Sequence, residues 1–140
     1  MAILERIEFY FQMVIQIASD PVHIAILFGS VILGIIFGAM PGLTSTLGVA
    51  LLTALTYGMD TATAMLCLLA IYVGGTYGGS YASILINIPG TAASAATALD
   101  GYPLACKGEG GRAIGLTTTS SAIGTIISML FLVSISPLIS

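Results

Sequence analysis

Two short runs carry the residue types that could hold a ligand: Pro41-Gly42 followed by Thr44, Ser45 and Thr46, and Asn87 with Pro89-Gly90 followed by Thr91 and Ser94. Proline lacks an N–H and clashes with the turn before it, and glycine accepts unusual backbone angles, so each Pro-Gly pair ends or breaks a helix. The small and hydroxyl residues behind each pair can open a new one. A helix N-terminus presents free N–H groups and about half a positive charge, which suits a carboxylate. The hydroxyls of Thr44, Ser45, Thr46, Thr91 and Ser94 and the amide of Asn87 would add donors. No Lys or Arg lies in any apolar segment, so an anion held here is held without side-chain charge. The competing reading is a pair of ordinary turns between helices at the water surface.

Other chemistry is poorly provided for. His23, Cys67 and Cys106 make no convincing triad, and no nucleophile-plus-base set, phosphate loop or metal-ligand cluster is present, so no catalysis is assigned. The two cysteines lie 39 positions apart, one in an apolar run and one in a polar stretch, and read as unrelated thiols. With three basic residues in 140 there is no nucleic-acid footprint.

The elements that must position the two runs are membrane helices. Hydrophobic residues make up 57% of the chain and charged residues 6%, with a mean hydropathy of +1.09. A soluble domain carries roughly 25% charged residues, so this chain lacks the polar surface to stay dissolved. No charge lies between Asp20 and Asp60, nor between Asp60 and Asp100. Each interval has room for the ~20 helical residues that cross a bilayer. The spacing predicts an all-α, polytopic membrane bundle with Pro-Gly-broken, discontinuous or re-entrant helices.

Residues 3–18 are short for a crossing and read as an interfacial amphipathic helix, so the chain divides into 1–20 and a membrane domain, 21–140. Asp20-Pro21 ends that helix and caps the next. Residues 22–40 form the first crossing, too long and too weakly basic at its start for a cleaved signal. Its Ser30, Gly34, Gly38 and Gly42 recur every fourth residue, a smooth face for a neighbouring helix. Residues 43–58 suit a short or re-entrant helix as well as a crossing. Residues 61–88 form a long helix whose Gly74, Gly75, Gly78 and Gly79, with Ser80, predict a break or a very close helix crossing. Residues 91–112 read as a solvent-facing or partly re-entrant loop, where Asp100 caps a turn or pairs with Lys107. The last helix, 113–135, is rich in hydroxyls, so part of it faces protein or water. The abrupt end at Ser140 reads as a chain cut short.

The stretches GIIFGAMPGLTSTLG (34–48) and GGTYGGSYASILINIPGTAASAATALDGYPLACKGEGGRAIG (74–115) resemble the large, TctA-like permease subunit of tripartite tricarboxylate transporters, of which this would be the N-terminal part. The run YGGS-x3-IL-x-N-x-PG, closed by T-x2-DGYP, is long and unusual. Glu109-Gly110-Gly111-Arg112 departs from the family pattern, where alanines are common. The resemblance implies a small membrane subunit and a periplasmic solute-binding protein as partners, a bacterial inner-membrane location, and import of citrate-like carboxylates. It also implies an ion gradient as the driving force. No bound cofactor is expected, and the coupling ion is Na⁺ or H⁺: no Asp or Glu lies in an apolar segment to relay a proton, whereas backbone carbonyls at the breaks could hold Na⁺. Carried onto this sequence it singles out Pro41, Gly42, Thr44, Asn87, Pro89, Gly90 and Thr91 as substrate-facing or hinge residues, and Gly78, Gly79 and Ser80 as sites of close approach.

Three functions are in play. A secondary-transporter subunit explains the broken helices and hydroxyl-lined segments. A structural subunit that only anchors partners needs neither. An intramembrane enzyme would need paired carboxylates or a His/Ser set at membrane depth, and neither is present. Lys107 and Arg112 favour the cytoplasm for 91–112 but leave the orientation open.

Overall fold

Asp20-Pro21 acts as its residue types dictate. In the computed structural model, which describes residues 2–139 and the side-chain surroundings of 8–9 and 11–135, α1 (Ala2–Ser19) stops there and α2 (Pro21–Ala39) begins. The Asp20 carboxylate accepts the Val22 N–H at 3.0 Å, and Pro21 opens the helix where its missing N–H costs nothing. After the first Pro-Gly pair come α3 (Ser45–Thr56) and α4 (Thr61–Ile86), capped by Thr44 and Asp60. After the second come a single 3-10 turn (Ala92–Ser94), α5 (Ala95–Cys106) and α6 (Gly110–Ile139). No strand occurs among the described residues. α2, α4 and the Gly110–Ile135 part of α6 are long and apolar enough to cross a membrane.

The outside of this bundle is greasy. Phe28 is 62% exposed and Leu132 66%, and the crossing part of α6 buries little inside the chain beyond Ala113. The buried residues are mostly small: Ser30, Gly34, Gly38, Ser45, Gly74, Gly75, Gly78, Gly79 and Ser83. In water this arrangement would be inside out; in lipid it is the stable one, because close backbone packing replaces the hydrophobic drive.

The direction of each helix follows from what it meets along α4. His23 lies beside Thr63, Ser30 beside Cys67, Gly34 beside Ile71 and Gly75, and Gly38 beside Gly75, so α2 and α4 run parallel. Ser45 touches Gly75 and Gly48 touches Ile71, so α3 runs back between them. Its 12 residues cover about 18 Å, well short of a hydrocarbon core of ~30 Å. Segment 43–58 therefore returns from the middle of α4 toward its start. Thr91 touches Gly79 and Gly101 touches Ile84, so α5 runs with α4; α6 comes back against it, with Thr118 at Tyr77.

Of the two readings of the α4 glycines, a break or a very close crossing, the structure shows the crossing, and the helix is continuous. Three expectations need correction. Gly42 leaves the packed stripe: it is exposed, at φ +90°, with open space around it. Residues 91–112 are largely helical, started by the Thr91–Ser94 cap and held against α4 by Gly101, with the charged turn confined to 107–109. Asp100 consequently sits inside α5, and the ion pairs among the described residues are Asp20–His23 and Glu109–Arg112.

Candidate functional site

The crossing of α2 and α4 is built by backbone meeting backbone. A β-carbon at Gly38 would lie 2.7 Å from the Gly75 carbonyl carbon, one at Gly34 2.9 Å from the Gly75 nitrogen, and one at Gly78 2.9 Å from the Ile35 Cα. Gly74 closes on Val31 in the same way, at 3.1 Å from its Cα. Only residues without side chains fit, which accounts for the four-residue period in both helices. Ser30 donates to the Cys67 sulfur at 3.1 Å in the same seam. At the far end His23 Nε2 and the Thr63 hydroxyl share a hydrogen bond of 3.1 Å. Its Nδ1 lies 2.9 Å from an Asp20 carboxylate oxygen, without hydrogen-bond geometry.

Against this crossing the two Pro-Gly runs converge. α2 ends at Met40 near the middle of α4, which continues for 11 residues past Gly75, about 16 Å. Pro41 and Gly42 turn the chain, Thr44 accepts the Leu47 N–H at 3.3 Å, and Ser45 is buried against Gly75. The second run starts higher. Asn87 ends α4 in the left-handed region at φ 57°, where asparagine is tolerated and most residues are strained. Ile88 and Pro89 then bring the chain back down, so that Gly90 packs on Gly79 and Gly38 and Thr91 on Gly79. Thr91 and Ser94 form a reciprocal capping box, with N–H to hydroxyl distances of 3.2 and 3.3 Å.

Gly75 and Gly79 are one turn apart on α4, so the openings of α3 and of the 3-10/α5 segment stand about 6 Å apart along its axis. α3 runs down from that level and α5 runs up from it. Their N-terminal ends therefore face each other, and both lie at membrane depth if α4 spans the bilayer.

Of the residues singled out by sequence, the structure gathers Ser45, Gly90, Thr91, Ser94, Gly34, Gly38, Gly74, Gly75, Gly78 and Gly79 here. Thr44 caps α3 and is exposed, as are Thr46, Pro41 and Pro89. Asn87 stands apart, at the end of α4. Ser80 turns away from α2 and lines a cleft on the α6 side.

That cleft was not legible as a unit. It is open, with about 550 Å³ of space between α4, the 3-10 turn, α5 and α6, and its walls carry the hydroxyls of Tyr72, Thr76, Tyr77, Ser80, Ser94, Thr97, Thr117, Thr118, Ser121 and Thr125. Only the clustered hydroxyls of 117–121 hinted at it. Tyr81 donates to Tyr77 at 3.2 Å, with the rings edge to face at 5.1 Å, and Tyr77 is hydrogen-bonded to Thr118, which donates to the Ile114 carbonyl at 2.8 Å. A second hollow, about 400 Å³ and wholly apolar, lies between α1, α2 and Leu66.

Outside the crossing segments one carboxyl is displaced. Hydrogen bonds from Thr63, first its side chain and then its backbone N–H, hold Asp60 below the usual carboxylate range. No group of three or more His, Cys, Asp or Glu that could hold a metal occurs among the described residues.

Residues 24–140 match the sequence profile of the tripartite tricarboxylate transporter TctA family. A relative from Agrobacterium vitis, described as an uncharacterized 52.8 kDa protein in the TAR-I ttuC' 3' region, is 38% identical over 126 residues, covering 89% of this chain. The chain spans about a quarter (25%) of that relative's length. No solved structure matches.

Proposed function

Since the chain belongs to the tripartite tricarboxylate transporter TctA family, a family of membrane transport proteins, we propose that it forms part of a permease subunit importing citrate-like carboxylates across the bacterial inner membrane. The transport is powered by a Na⁺ or H⁺ gradient and fed by a periplasmic solute-binding protein, with a small membrane subunit alongside. The observation that supports this reading is the meeting of two Pro-Gly breaks on adjacent turns of α4, at Gly75 and Gly79. Broken backbone at membrane depth persists only where protein or a water-lined cavity satisfies its polar groups, and here a hydroxyl-lined cleft adjoins it. The break at Pro41-Gly42 and the return at Pro89-Gly90 act as hinges. Thr44, Ser45, Thr46, Asn87, Gly90, Thr91 and Ser94 contribute to the substrate path. α1 lies in the membrane interface, its apolar hollow filled by lipid.

The test is uptake of labelled citrate by vesicles holding the full-length permease and its small subunit, with and without the binding protein. Accumulation that needs both the binding protein and an imposed ion gradient is expected. Properly inserted protein that accumulates no carboxylate under any gradient refutes the reading.

A further inference from the structure

The crossing itself has no room for a ligand: Gly90 is buried against Gly79 and Gly38, and Ser45 against Gly75. Space lies next to it, in the cleft of about 550 Å³, a volume that suits a small polycarboxylate. What the cleft can bind depends on where its hydroxyl protons go. Thr76, Thr117, Thr118 and Thr125 donate to carbonyls of their own helices at 2.7–2.9 Å, and Ser94 donates to the Thr91 carbonyl at 2.8 Å. In the chain from Tyr81 through Tyr77 to Thr118, each proton passes to the next oxygen and the last to Ile114, so none is offered to the cleft.

Four lining hydroxyls differ. Those of Tyr72 and Ser80 on α4, Thr97 on α5 and Ser121 on α6 form no hydrogen bond with any described residue; Ser80, Thr97 and Ser121 bring one from each of three helices. Ser80 and Thr97 are half-buried and Tyr72 and Ser121 exposed, so these hydroxyls are open to water or to a ligand. A cation would use only lone pairs, which the committed hydroxyls already supply. The free protons serve an acceptor. No charged side chain lines the cleft, so the acceptor is bound by hydrogen bonds alone.

We propose that this cleft holds the carboxylate, with Ser80, Thr97 and Ser121 as its donors and the Tyr77–Thr118 contact as its fixed wall. The proposal rests on the transport reading, because it places the transported anion. Ala122, which lines the cleft and donates nothing, is the reporter position. In the full-length permease, with Cys106→Ser removing the exposed thiol, Ala122→Cys is treated with a membrane-impermeant thiol reagent in the presence of citrate. Citrate is expected to slow labelling at least tenfold, while Gly111→Cys, in open space at the start of α6, is labelled at an unchanged rate. Adding Ser80→Ala, Thr97→Val or Ser121→Ala should raise the half-protecting citrate concentration about tenfold each, as loss of one hydrogen bond to a charged group implies. An Ala122→Cys that is never labelled, that citrate does not protect, or whose protection ignores all three substitutions overturns the proposal. Uptake without protection removes this site and leaves the transport reading; protection without uptake does the reverse.

Discussion

Alanine at Gly38 should pull apart the seam on which everything else rests. Its methyl would lie 2.7 Å from the Gly75 carbonyl carbon and 2.8 Å from its Cα, against backbone that cannot rotate away. Carbon contacts are comfortable at 3.5–4.0 Å, so α2 and α4 must separate by roughly 1 Å. Such overpacking costs about 1–3 kcal/mol, and here the displacement also uncovers Gly90, which packs on the Gly38 carbonyl. Gly29 is the internal control: it lies on the same helix with nothing within 4 Å, so alanine there gains up to ~1 kcal/mol of helix propensity. The difference between Gly29→Ala and Gly38→Ala should therefore be at least about 2 kcal/mol, read as a midpoint shift of several degrees in detergent. Gly38→Ala as stable as Gly29→Ala would refute the backbone-contact argument and with it the placement of both Pro-Gly runs.

Other consequences follow from single contacts. Tyr77→Phe removes the hydrogen bond to Thr118 and should speed amide exchange in the first half of α6 while leaving α2 unchanged. Asn87→Gly keeps the left-handed turn and should be neutral for stability, whereas Asn87→Val should cost about 1–2 kcal/mol in the same melt. If Asn87 also contacts substrate, the glycine variant loses uptake without losing stability. Asp60 has a folded pKa below its unfolded value, so its support for the start of α4 is complete above the ordinary aspartate pKa of ~3.9. That support is lost as pH falls through the depressed folded pKa. Amide protection around Thr63 should fall in that acid range, and Asp60→Asn should remove the pH dependence.

The sequence alone determined the solvent and the breaks. Long uncharged intervals demand a bilayer, and Pro-Gly must interrupt a helix; both follow from local covalent chemistry. The cap at Asp20 and the helix openings behind the two Pro-Gly pairs were legible for the same reason, since a hydroxyl or carboxylate before an apolar run has one nearby set of N–H groups to satisfy. Only the tertiary structure decided that α2 and α4 run parallel, that α3 is too short to cross, and that the two breaks fall on neighbouring turns of α4. It also turned the expected 91–112 loop into a helix, because a buried Gly101 against Ile84 outweighs the turn preference of Asp-Gly-Tyr-Pro. The hydroxyl cleft belongs to this second class as well. The sequence marked Ser80 for close approach and Ser121 only as part of a hydroxyl-rich helix; that they face one space with Thr97, with protons that no carbonyl has taken, is decided by the fold.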